Sequence, residues 1–176
     1  MTENRPIRPP RVAIVILNWN GWKDTIECLE SLYRITYQNY DIIVIDNHST
    51  DDSVSRIKAY CNGIIKVNSE LVKYSSANKP INVYEITEDN IVGFHYMMQE
   101  YERIPINRRI IIIKCKKNYG FADGSNLGIK FALKELHSKY ILLLNNDTVV
   151  DERVLDELVN VAENNKDVGI VGPKIY

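Results

Sequence analysis

ILLLNND, residues 141–147, is a short apolar run that ends abruptly in two amides and a carboxylate. A continuous apolar run of this length is typical of a parallel strand that is buried on both faces. Open α/β sheets bind ligands at the carboxyl ends of such strands. An aspartate there, beside two amides, is suited to hold a hard divalent cation against phosphate oxygens. The run therefore predicts a parallel sheet with a ligand site beyond Asn145.

A strand followed by an acid also occurs earlier in the chain, where IIVID, residues 42–46, ends in Asp46. RVAIVIL, residues 11–17, is another β-branched run, and the polar turn NWNG, residues 18–21, interrupts it. Asp46 is suited to accept a hydrogen bond from a base or a ribose, and Trp19 to stack on a base. Two acids at the exits of two such strands predict a nucleotide site.

Strands and helices alternate along most of the chain. Apolar residues at helical spacing predict helices at residues 22–33, 51–61, 123–137 and 152–164. Besides the runs above, strands are predicted at residues 81–87, 109–115 and 168–171. Such alternation predicts the α/β class, with a mainly parallel sheet and helices on both faces.

The predicted organisation is a flexible, proline-rich lead-in at residues 1–10 and one domain at residues 11–176. Residues 62–107 are the least regular part, and we interpret them as an insertion that contains an edge strand at 81–87. The chain ends on a predicted strand and turn. We therefore expect a truncated fold, the first part of a larger catalytic unit.

Composition excludes several classes of protein. With 45% hydrophobic residues the chain is not disordered, and a net charge of −1 gives no field for nucleic acid. No apolar run approaches the roughly 20 residues that span a bilayer, and residues 1–10 lack the apolar core of a signal peptide. We expect a cytoplasmic protein, and peripheral contact with the inner face of the membrane stays open. The three cysteines are interpreted as buried free thiols, with a catalytic thiol as the less favoured alternative.

Common nucleotide and hydrolase motifs are absent from the sequence. The chain has no Gly-x-Gly-x-x-Gly, no P-loop and no Gly-x-Ser-x-Gly, and its three histidines are isolated. What remains is a site built from strand ends. The turn NYGFADGSN, residues 118–126, adds small residues and amides that can approach a sugar or a phosphate.

Four motifs in a fixed order carry a specific resemblance. They are VILNWNG (15–21), VIDNHSTDDS (44–53), NYGFADGSNLG (118–128) and LLNNDT (143–148). In this order they resemble a family 2 glycosyltransferase, and the Asn-Asn-Asp and Gly-Phe-Ala-x-Gly forms most resemble rhamnosyltransferase-like members. The resemblance covers about residues 11–60 and 109–176.

The resemblance implies the GT-A fold, which is Rossmann-like, and inverting, metal-dependent hexosyl transfer. The implied donor is dTDP-rhamnose-like or a UDP-sugar, and the implied acceptor is a glycan or a lipid-linked glycan. Asp147 would be the ligand of Mg²⁺ or Mn²⁺, with the general base expected beyond Tyr176. The residues expected to bind the donor are Asn18, Trp19, Asp46, Asn118, Gly120, Phe121, Asn126, Asn145 and Asn146.

Two positions depart from the pattern of the family. Asn145 replaces the first acid of its Asp-x-Asp motif, and Ser125 stands where many members carry an arginine that meets the diphosphate. The acids that follow Asp147 look like helix surface and caps, so none is named as the base.

Two alternatives stay open. A sugar-nucleotide nucleotidyltransferase needs a Gly-rich, basic loop after the first strand, whereas residues 18–23 hold one glycine and one lysine. A non-catalytic module that binds a nucleotide or a partner would need only the strand-end site.

Overall fold

A computed structural model describes residues 9–175 of the chain. Its centre is a five-stranded sheet in which each neighbouring pair is parallel, in the order β3-β4-β2-β1-β5. The strands are β1 (Val12–Asn18), β2 (Tyr40–Asp46), β3 (Asn82–Thr87), β4 (Arg109–Lys114) and β5 (Tyr140–Asn145). The predicted α/β class and parallel sheet are confirmed.

Helices cover both faces of the sheet, as predicted. One core, with Leu29 and Leu155, lies under α1, α2 and α5, and the other, with Phe94 and Phe131, lies under α3 and α4. None of the helices within residues 9–175 is long and apolar enough to cross a bilayer. The helices are α1 (Trp22–Leu32), α2 (Ser53–Cys61), α3 (Met98–Arg103), α4 (Gly120–Lys134) and α5 (Val154–Asn164), with 3₁₀ turns at Glu88–Met97 and Ile106–Arg108.

The central strands are apolar along their length because helices cover them on both sides. The four isoleucines of β4, residues 110–113, are fully buried, and every residue of β2 is buried. A strand in this position has no side that faces water, so its residues do not alternate between apolar and polar. The predicted burial of β4 is confirmed.

Strand β5 differs from its prediction because it lies at an edge of the sheet. Among the described residues it pairs only with β1, and Leu143 keeps 46% of its surface exposed. The prediction of a buried strand is therefore wrong for residues 141–145. An apolar run indicates a strand but does not indicate which strand lies outermost.

Two other predicted elements differ in the structure. Helix α4 begins at Gly120, three residues before its predicted start at 123, so most of the predicted turn at 118–126 is helical. Residues 168–171 form no strand in the part of the chain that the structure describes, and Ile170 is exposed there. That prediction is wrong because these residues find no neighbouring strand to pair with within 9–175.

The irregular segment at residues 62–107 contributes to the sheet. It supplies β3, which pairs with β4 at the edge, so the predicted edge strand is confirmed. Whether the segment is an insertion stays a prediction. Of the predicted lead-in, residues 1–8 lie outside the described residues, whereas the carbonyls of Pro9 and Pro10 accept hydrogen bonds from Asn39 and Tyr37 at 2.7 and 2.6 Å.

A buried ionic cluster joins the strands at the amino-terminal edge of the sheet. Oδ2 of Asp41 accepts a hydrogen bond from Nε of Arg11 at 2.6 Å. Oδ1 accepts from Nη2 of Arg109 at 2.9 Å and from the hydroxyl of Tyr101 at 2.6 Å. The side chain of Asp41 has no exposed surface. The cluster therefore ties α3, which lies in the irregular segment, to the starts of β2 and β4.

Helix α4 lies so close to the sheet that its inner side requires glycine. A Cβ on Gly128 would overlap Cγ1 of Val15, and a Cβ on Gly124 would lie 2.7 Å from Cδ1 of Leu17. We expect Gly128→Ala to lower the free energy of unfolding by about 1–2 kcal/mol, because overpacking exceeds the gain in helix propensity. Urea unfolding followed by circular dichroism measures this change. Gly169→Ala is the control, because no atom lies within 4 Å of its added Cβ, and an equal loss there would contradict the prediction.

Candidate functional site

The carboxyl ends of β2, β1 and β5 lie side by side at one edge of the sheet. In the parallel register Asn18 stands opposite Asp46, and Leu17 stands opposite Asn145. The sheet itself therefore brings together the predicted site residues that end these strands. We call this region, formed by the three strand ends and the loops that follow them, the carboxyl edge. Ligands of open parallel sheets bind at this edge.

Asp46 lies at the carboxyl edge and is nearly buried, with 4% of its surface exposed. Nδ2 of Asn18 donates to its Oδ1 at 3.0 Å, and the N–H of Ser49 donates to its Oδ2 at 3.3 Å. An ionised carboxylate offers about four acceptor positions, so these two bonds leave capacity for a ligand. Asp46 is therefore a nearly buried acceptor with unused hydrogen-bonding capacity at the carboxyl edge.

Asn18, which the sequence predicts to bind the donor, is fully buried, with 0% of its surface exposed. Its Nδ2 also lies 3.1 Å from the hydroxyl of Ser49, and its Oδ1 accepts from the hydroxyl of Thr25 at 2.9 Å. A residue covered in this way reaches a ligand only through its neighbours. Asn18 therefore supports the site from beneath, and its role in binding the donor stays a prediction.

Helix α1 connects the exits of β1 and β5 through Thr25. Nδ2 of Asn146 lies 3.2 Å from the Thr25 hydroxyl and 3.3 Å from the carbonyl of Gly21. A Cβ on Gly21 would lie 2.6 Å from the same Nδ2, so the turn after β1 packs directly on Asn146. Within residues 9–175, Oδ1 of Asn146 accepts no hydrogen bond, so this oxygen is open to a ligand.

Trp19 and Asn20 form the exposed tip of the turn after β1. Asn20 has a left-handed backbone, with φ of 53°, and its Oδ1 accepts from the N–H groups of Thr50 and Asp51 at 2.8 and 3.2 Å. These bonds join the turn after β1 to the loop after β2. The indole of Trp19 is 57% exposed and is therefore available to stack on a ligand.

Asn47 fastens the start of α4 to the exit of β2. Its Nδ2 donates to Oδ1 of Asn118 at 3.0 Å and to the carbonyl of Gly120 at 3.1 Å. Its Oδ1 accepts from the N–H of Tyr119 at 2.9 Å. Gly120 has a left-handed backbone, with φ of 71°, that a side chain would strain. Asn118, in the loop just before α4, and Gly120, the first residue of α4, are thus brought to the carboxyl edge.

The two remaining predicted residues of α4, Phe121 and Asn126, lie at different distances along the helix from the carboxyl edge. Phe121 is exposed in the first turn, next to Gly120. Asn126 is exposed further along α4, and its side chain makes no hydrogen bond within residues 9–175. No hydrogen bond therefore joins Asn126 to the other predicted site residues in this part of the chain. Ser125, which stands where many family members carry an arginine, is buried on the inner side of α4.

Asp147 and Asn145 are both exposed where β5 ends. Within residues 9–175, three or more His, Cys, Asp or Glu side chains nowhere form a group that could hold a metal ion. A single carboxylate is nevertheless an ordinary protein contribution to Mg²⁺ that is bound mainly by substrate phosphates and water. The residues present therefore fit a cation that is shared with a phosphate ligand.

The three cysteines are free and buried, as predicted. Burial raises the pKa of Cys28 and of Cys61 to about 12, and the pKa of Cys115 to about 11. Cys28 lies beneath the exit of β5, with Sγ 3.9 Å from the carbonyl of Asn145, and the charge of Asp147 adds to its shift. The cysteines are protonated at neutral pH, so the geometry gives no support to a catalytic thiol.

The acids that follow Asp147 interact with other groups on the protein surface. Asp156 accepts a hydrogen bond from the hydroxyl of Thr36 at 2.6 Å, and Glu163 pairs with Lys139 at 2.6 Å. Asp151 accepts from the backbone N–H of Arg153 at 2.8 Å, ahead of α5. These acids have the structural roles that their spacing predicts, so we assign none of them as a general base.

Sequence reasoning missed four residues that shape the carboxyl edge, namely Asn20, Thr25, Asn47 and Ser49. Three of them lie inside the polar loops of the motifs, where each could have been found as a residue able to bond to neighbouring backbone. Thr25 carries no such signal. A threonine at helical spacing beside Ile26 and Leu29 looks like part of the core.

Comparison with a solved structure identifies the type of fold. The chain is similar to residues 1–349 of TarS from S. aureus, whose crystal structure is in complex with UDP-GlcNAc. The TM-score is 0.51 at 12% sequence identity, and the match covers 93% of this chain and 37% of that one. The parallel sheet with its helices is therefore an α/β fold of the GT-A type.

Sequence comparison identifies the family. The model of glycosyl transferase family 2 matches residues 13–79 and 93–176, and the chain belongs to this family. It is 25% identical over 160 residues to the glycosyltransferase GlyG of Streptococcus pneumoniae serotype 4, covering 90% of this chain and 38% of the relative. It is 28% identical to an uncharacterized glycosyltransferase of Rickettsia bellii, covering 90% and 16%. The chain thus spans less than two-fifths of the length of these relatives.

Proposed function

We propose that this chain is the donor-binding part of a glycosyltransferase that uses a nucleoside diphosphate sugar. The observation that carries the proposal is the placement of two acids at the carboxyl edge. Asp46 ends β2 and Asp147 follows β5, on either side of the exit of β1. The nearly buried Asp46 suits the nucleoside, which offers hydrogen-bond donors, and the exposed Asp147 suits a cation that binds the diphosphate. Membership in the family supports the same function.

The nucleoside is proposed to bind between Trp19 and Asp46. The exposed indole supplies a surface for base stacking, and the remaining acceptor positions of Asp46 suit a base N–H or a ribose hydroxyl. Asn118, Gly120 and Phe121, at the start of α4, lie next to the exit of β2 and are proposed to contact the donor there. We propose Asn126 only as an outlying contact, because its side chain lies on the outer surface of α4.

The diphosphate is proposed to bind beside β5. Asp147 would hold Mg²⁺ or Mn²⁺ there, with the amide oxygens of Asn145 and Asn146 as neighbours. When bound, such a cation neutralises a diphosphate leaving group. Because Asn145 replaces an acid, this end of the site has less negative charge than an Asp-x-Asp motif. We therefore expect weak affinity for the free cation and stronger affinity when nucleotide phosphates are present.

The donor is proposed to carry a pyrimidine base. The similar protein TarS is solved with UDP-GlcNAc, and the Asn-Asn-Asp and Gly-Phe-Ala-x-Gly forms resemble rhamnosyltransferase-like members, which suggests dTDP-rhamnose. Uracil and thymine present the same N–H and carbonyl groups and differ by one methyl group. A UDP-sugar and dTDP-rhamnose are therefore the two donors to test. We propose inverting transfer to a glycan or a lipid-linked acceptor, as the resemblance implies.

Titration of the protein with uridine and thymidine, and with UDP, dTDP and GDP in Mn²⁺, tests the proposal by calorimetry. We expect Asp46→Ala to weaken binding of uridine or thymidine by about tenfold, because a hydrogen bond to a charged acceptor is lost. Asp52→Ala is the matched control, since it removes an exposed acid from the loop after β2. Equal affinity in Asp46→Ala and the wild type would remove Asp46 from the site.

The same titrations, together with an assay of activity, separate the proposal from the non-catalytic alternative. If the wild type binds none of the three nucleoside diphosphates, the donor-binding function is wrong. Nucleotide binding by the full-length protein without sugar transfer or donor hydrolysis would favour a non-catalytic module.

A further inference from the structure

Thr25 joins the two halves of the carboxyl edge although it cannot touch a ligand. Its side chain lies in the first turns of α1 and is fully buried, with 0% of its surface exposed. The hydroxyl oxygen lies 2.9 Å from Oδ1 of Asn18 and 3.2 Å from Nδ2 of Asn146. Asn18 ends β1 and Asn146 follows β5. One buried hydroxyl therefore links the exits of two neighbouring strands.

The hydrogen bonds through Thr25 have a defined direction. An amide nitrogen can only donate, so Asn146 donates to the hydroxyl oxygen of Thr25. The hydroxyl proton is then shared between Oδ1 of Asn18 at 2.9 Å and the carbonyl of Gly21 at 3.0 Å. Nδ2 of Asn18 donates to Oδ1 of Asp46 at 3.0 Å. We name the series Asn146, Thr25, Asn18 and Asp46 the amide relay.

The orientation of the Asn18 amide is set by Thr25 and Asp46 together. If this amide turned over, its Oδ1 would face the carboxylate of Asp46, and two acceptors would stand in contact without a proton between them. The O–H of Thr25 stabilises the orientation in which Oδ1 faces α1 and Nδ2 faces Asp46. The last hydrogen bond of the relay runs from Asn18 to the carboxylate of Asp46. Hydrogen bonds to a charged acceptor are stronger than those between neutral groups. Thr25 therefore helps to set which acceptor positions of Asp46 remain open.

The orientation of the Asn146 amide depends on Thr25 as well. Its Nδ2 is bonded to Thr25 and to the Gly21 carbonyl, which leaves its Oδ1 free on the side of the amide away from α1. Asp147 is the next residue of the chain. The same hydroxyl thus fixes a free oxygen beside Asp147 and a free acceptor on Asp46.

We propose that Thr25 is a positioning residue that couples the nucleoside half of the donor site to the diphosphate half through the amide relay. The inference rests on the proposed function, in which Asp46 meets the nucleoside, and Asn146 and Asp147 meet the diphosphate and its cation. A ligand on Oδ1 of Asn146 holds the amide with its Nδ2 against Thr25, and this arrangement favours the orientation of Asn18 that Asp46 requires. Binding at either half therefore strengthens binding at the other.

Two substitutions of Thr25 test the proposal. Thr25→Val removes the hydroxyl and keeps the shape, whereas Thr25→Ser keeps the hydroxyl. Calorimetry compares metal-free uridine with UDP in Mn²⁺, or thymidine with dTDP if the wild type prefers them. We expect Thr25→Val to weaken nucleoside binding by about three- to tenfold, the effect of one hydrogen bond, and to weaken binding of the nucleotide with Mn²⁺ by a larger factor. Thr25→Ser should restore both affinities to within about twofold of the wild type.

A double-mutant cycle with Asn146→Ala separates coupling from a structural role. If the relay couples the two halves, Thr25→Val should weaken nucleotide binding less in the Asn146→Ala background, where the bond between them is already lost. Additive effects would overturn the proposal. A Thr25→Val variant with a lower Tm but unchanged affinities would overturn it as well.

A second variant keeps the test decisive if Thr25→Val does not fold. Asn146 is only partly buried in a turn, so Asn146→Ala should fold. It should weaken metal-free nucleoside binding by about twofold. The Gly21 carbonyl then lacks the competing donor Nδ2 of Asn146 and draws the Thr25 proton away from Asn18. An unchanged affinity would overturn the coupling. Failure of the wild type to bind any nucleotide would instead defeat the proposed function, and that result is seen before any variant is measured.

Discussion

Asp147→Ala is expected to abolish the advantage that Mn²⁺ gives to binding of a nucleoside diphosphate. In the wild type, UDP or dTDP should bind about tenfold more tightly with Mn²⁺ than with EDTA, because the cation joins the carboxylate to the phosphates. In the variant the two affinities should be equal. Asp147 is exposed and its carboxylate accepts no hydrogen bond within residues 9–175, so the fold should remain intact. Calorimetry in the two buffers measures the ratio.

Two further variants show whether charge at this position is the cause. Asp167→Ala removes the same charge from an exposed position beyond α5 and should keep the wild-type ratio. Asp147→Asn keeps the size of the side chain without its charge and should lose most of the Mn²⁺ effect. The metal assignment would be wrong if the wild type bound the nucleotide equally well in both buffers, or if Asp147→Ala kept the full ratio.

Asp41→Ala is expected to lower the free energy of unfolding by about 3–5 kcal/mol, because it leaves buried charges without a partner. The guanidinium of Arg109, whose side chain is 4% exposed, loses its carboxylate at 2.9 Å. Arg11 loses the same carboxylate, and the hydroxyl of Tyr101 loses its acceptor. This loss is a large part of the roughly 5–15 kcal/mol that stabilises an ordinary domain. Urea unfolding followed by circular dichroism measures it.

Glu102→Ala is the matched control for Asp41→Ala. Glu102 pairs with the same Arg11 at 2.9 Å, but its side chain is 49% exposed. Its removal should change the free energy of unfolding by less than about 1 kcal/mol. Similar losses in the two variants would show that burial is not the source of the effect. Asp41 lies near the start of β2, so nucleotide affinity of the folded Asp41→Ala protein should match the wild type.

The buried strands of the sheet could be predicted from the sequence, but the order of the strands could not. IIII at residues 110–113 and IIVI at residues 42–45 must be covered on both sides, and both lie in the centre of the sheet. LLL at residues 142–144 is as apolar, yet β5 lies at an edge. Packing between distant parts of the chain decides which strands become neighbours. The local pattern of apolar residues carries no information about this packing.

The location of the candidate site could be predicted for a geometric reason. Parallel strands end at the same edge, so Asp46, Trp19 and Asp147 could be placed at one edge of the sheet once the strands were recognised. That they lie near one another also requires β2, β1 and β5 to be neighbours, which the structure shows. The burial of Asn18 could not be predicted, because it depends on how α1 packs across two strands. Thr25 and Asn146 are 121 positions apart in the sequence, and only this packing brings them together.

Gly124 and Gly128 bring α4 so close to β1 that an added Cβ on either glycine would overlap a side chain of the strand. The first turn of α4, which begins beside Asn118, is therefore held by close packing before any ligand arrives. A ligand that contacts a preorganised wall loses little entropy in ordering it. Adjustment on binding would fall first to the exposed side chain of Trp19 on the opposite side. The fold thus divides the candidate site into a closely packed side and an exposed side.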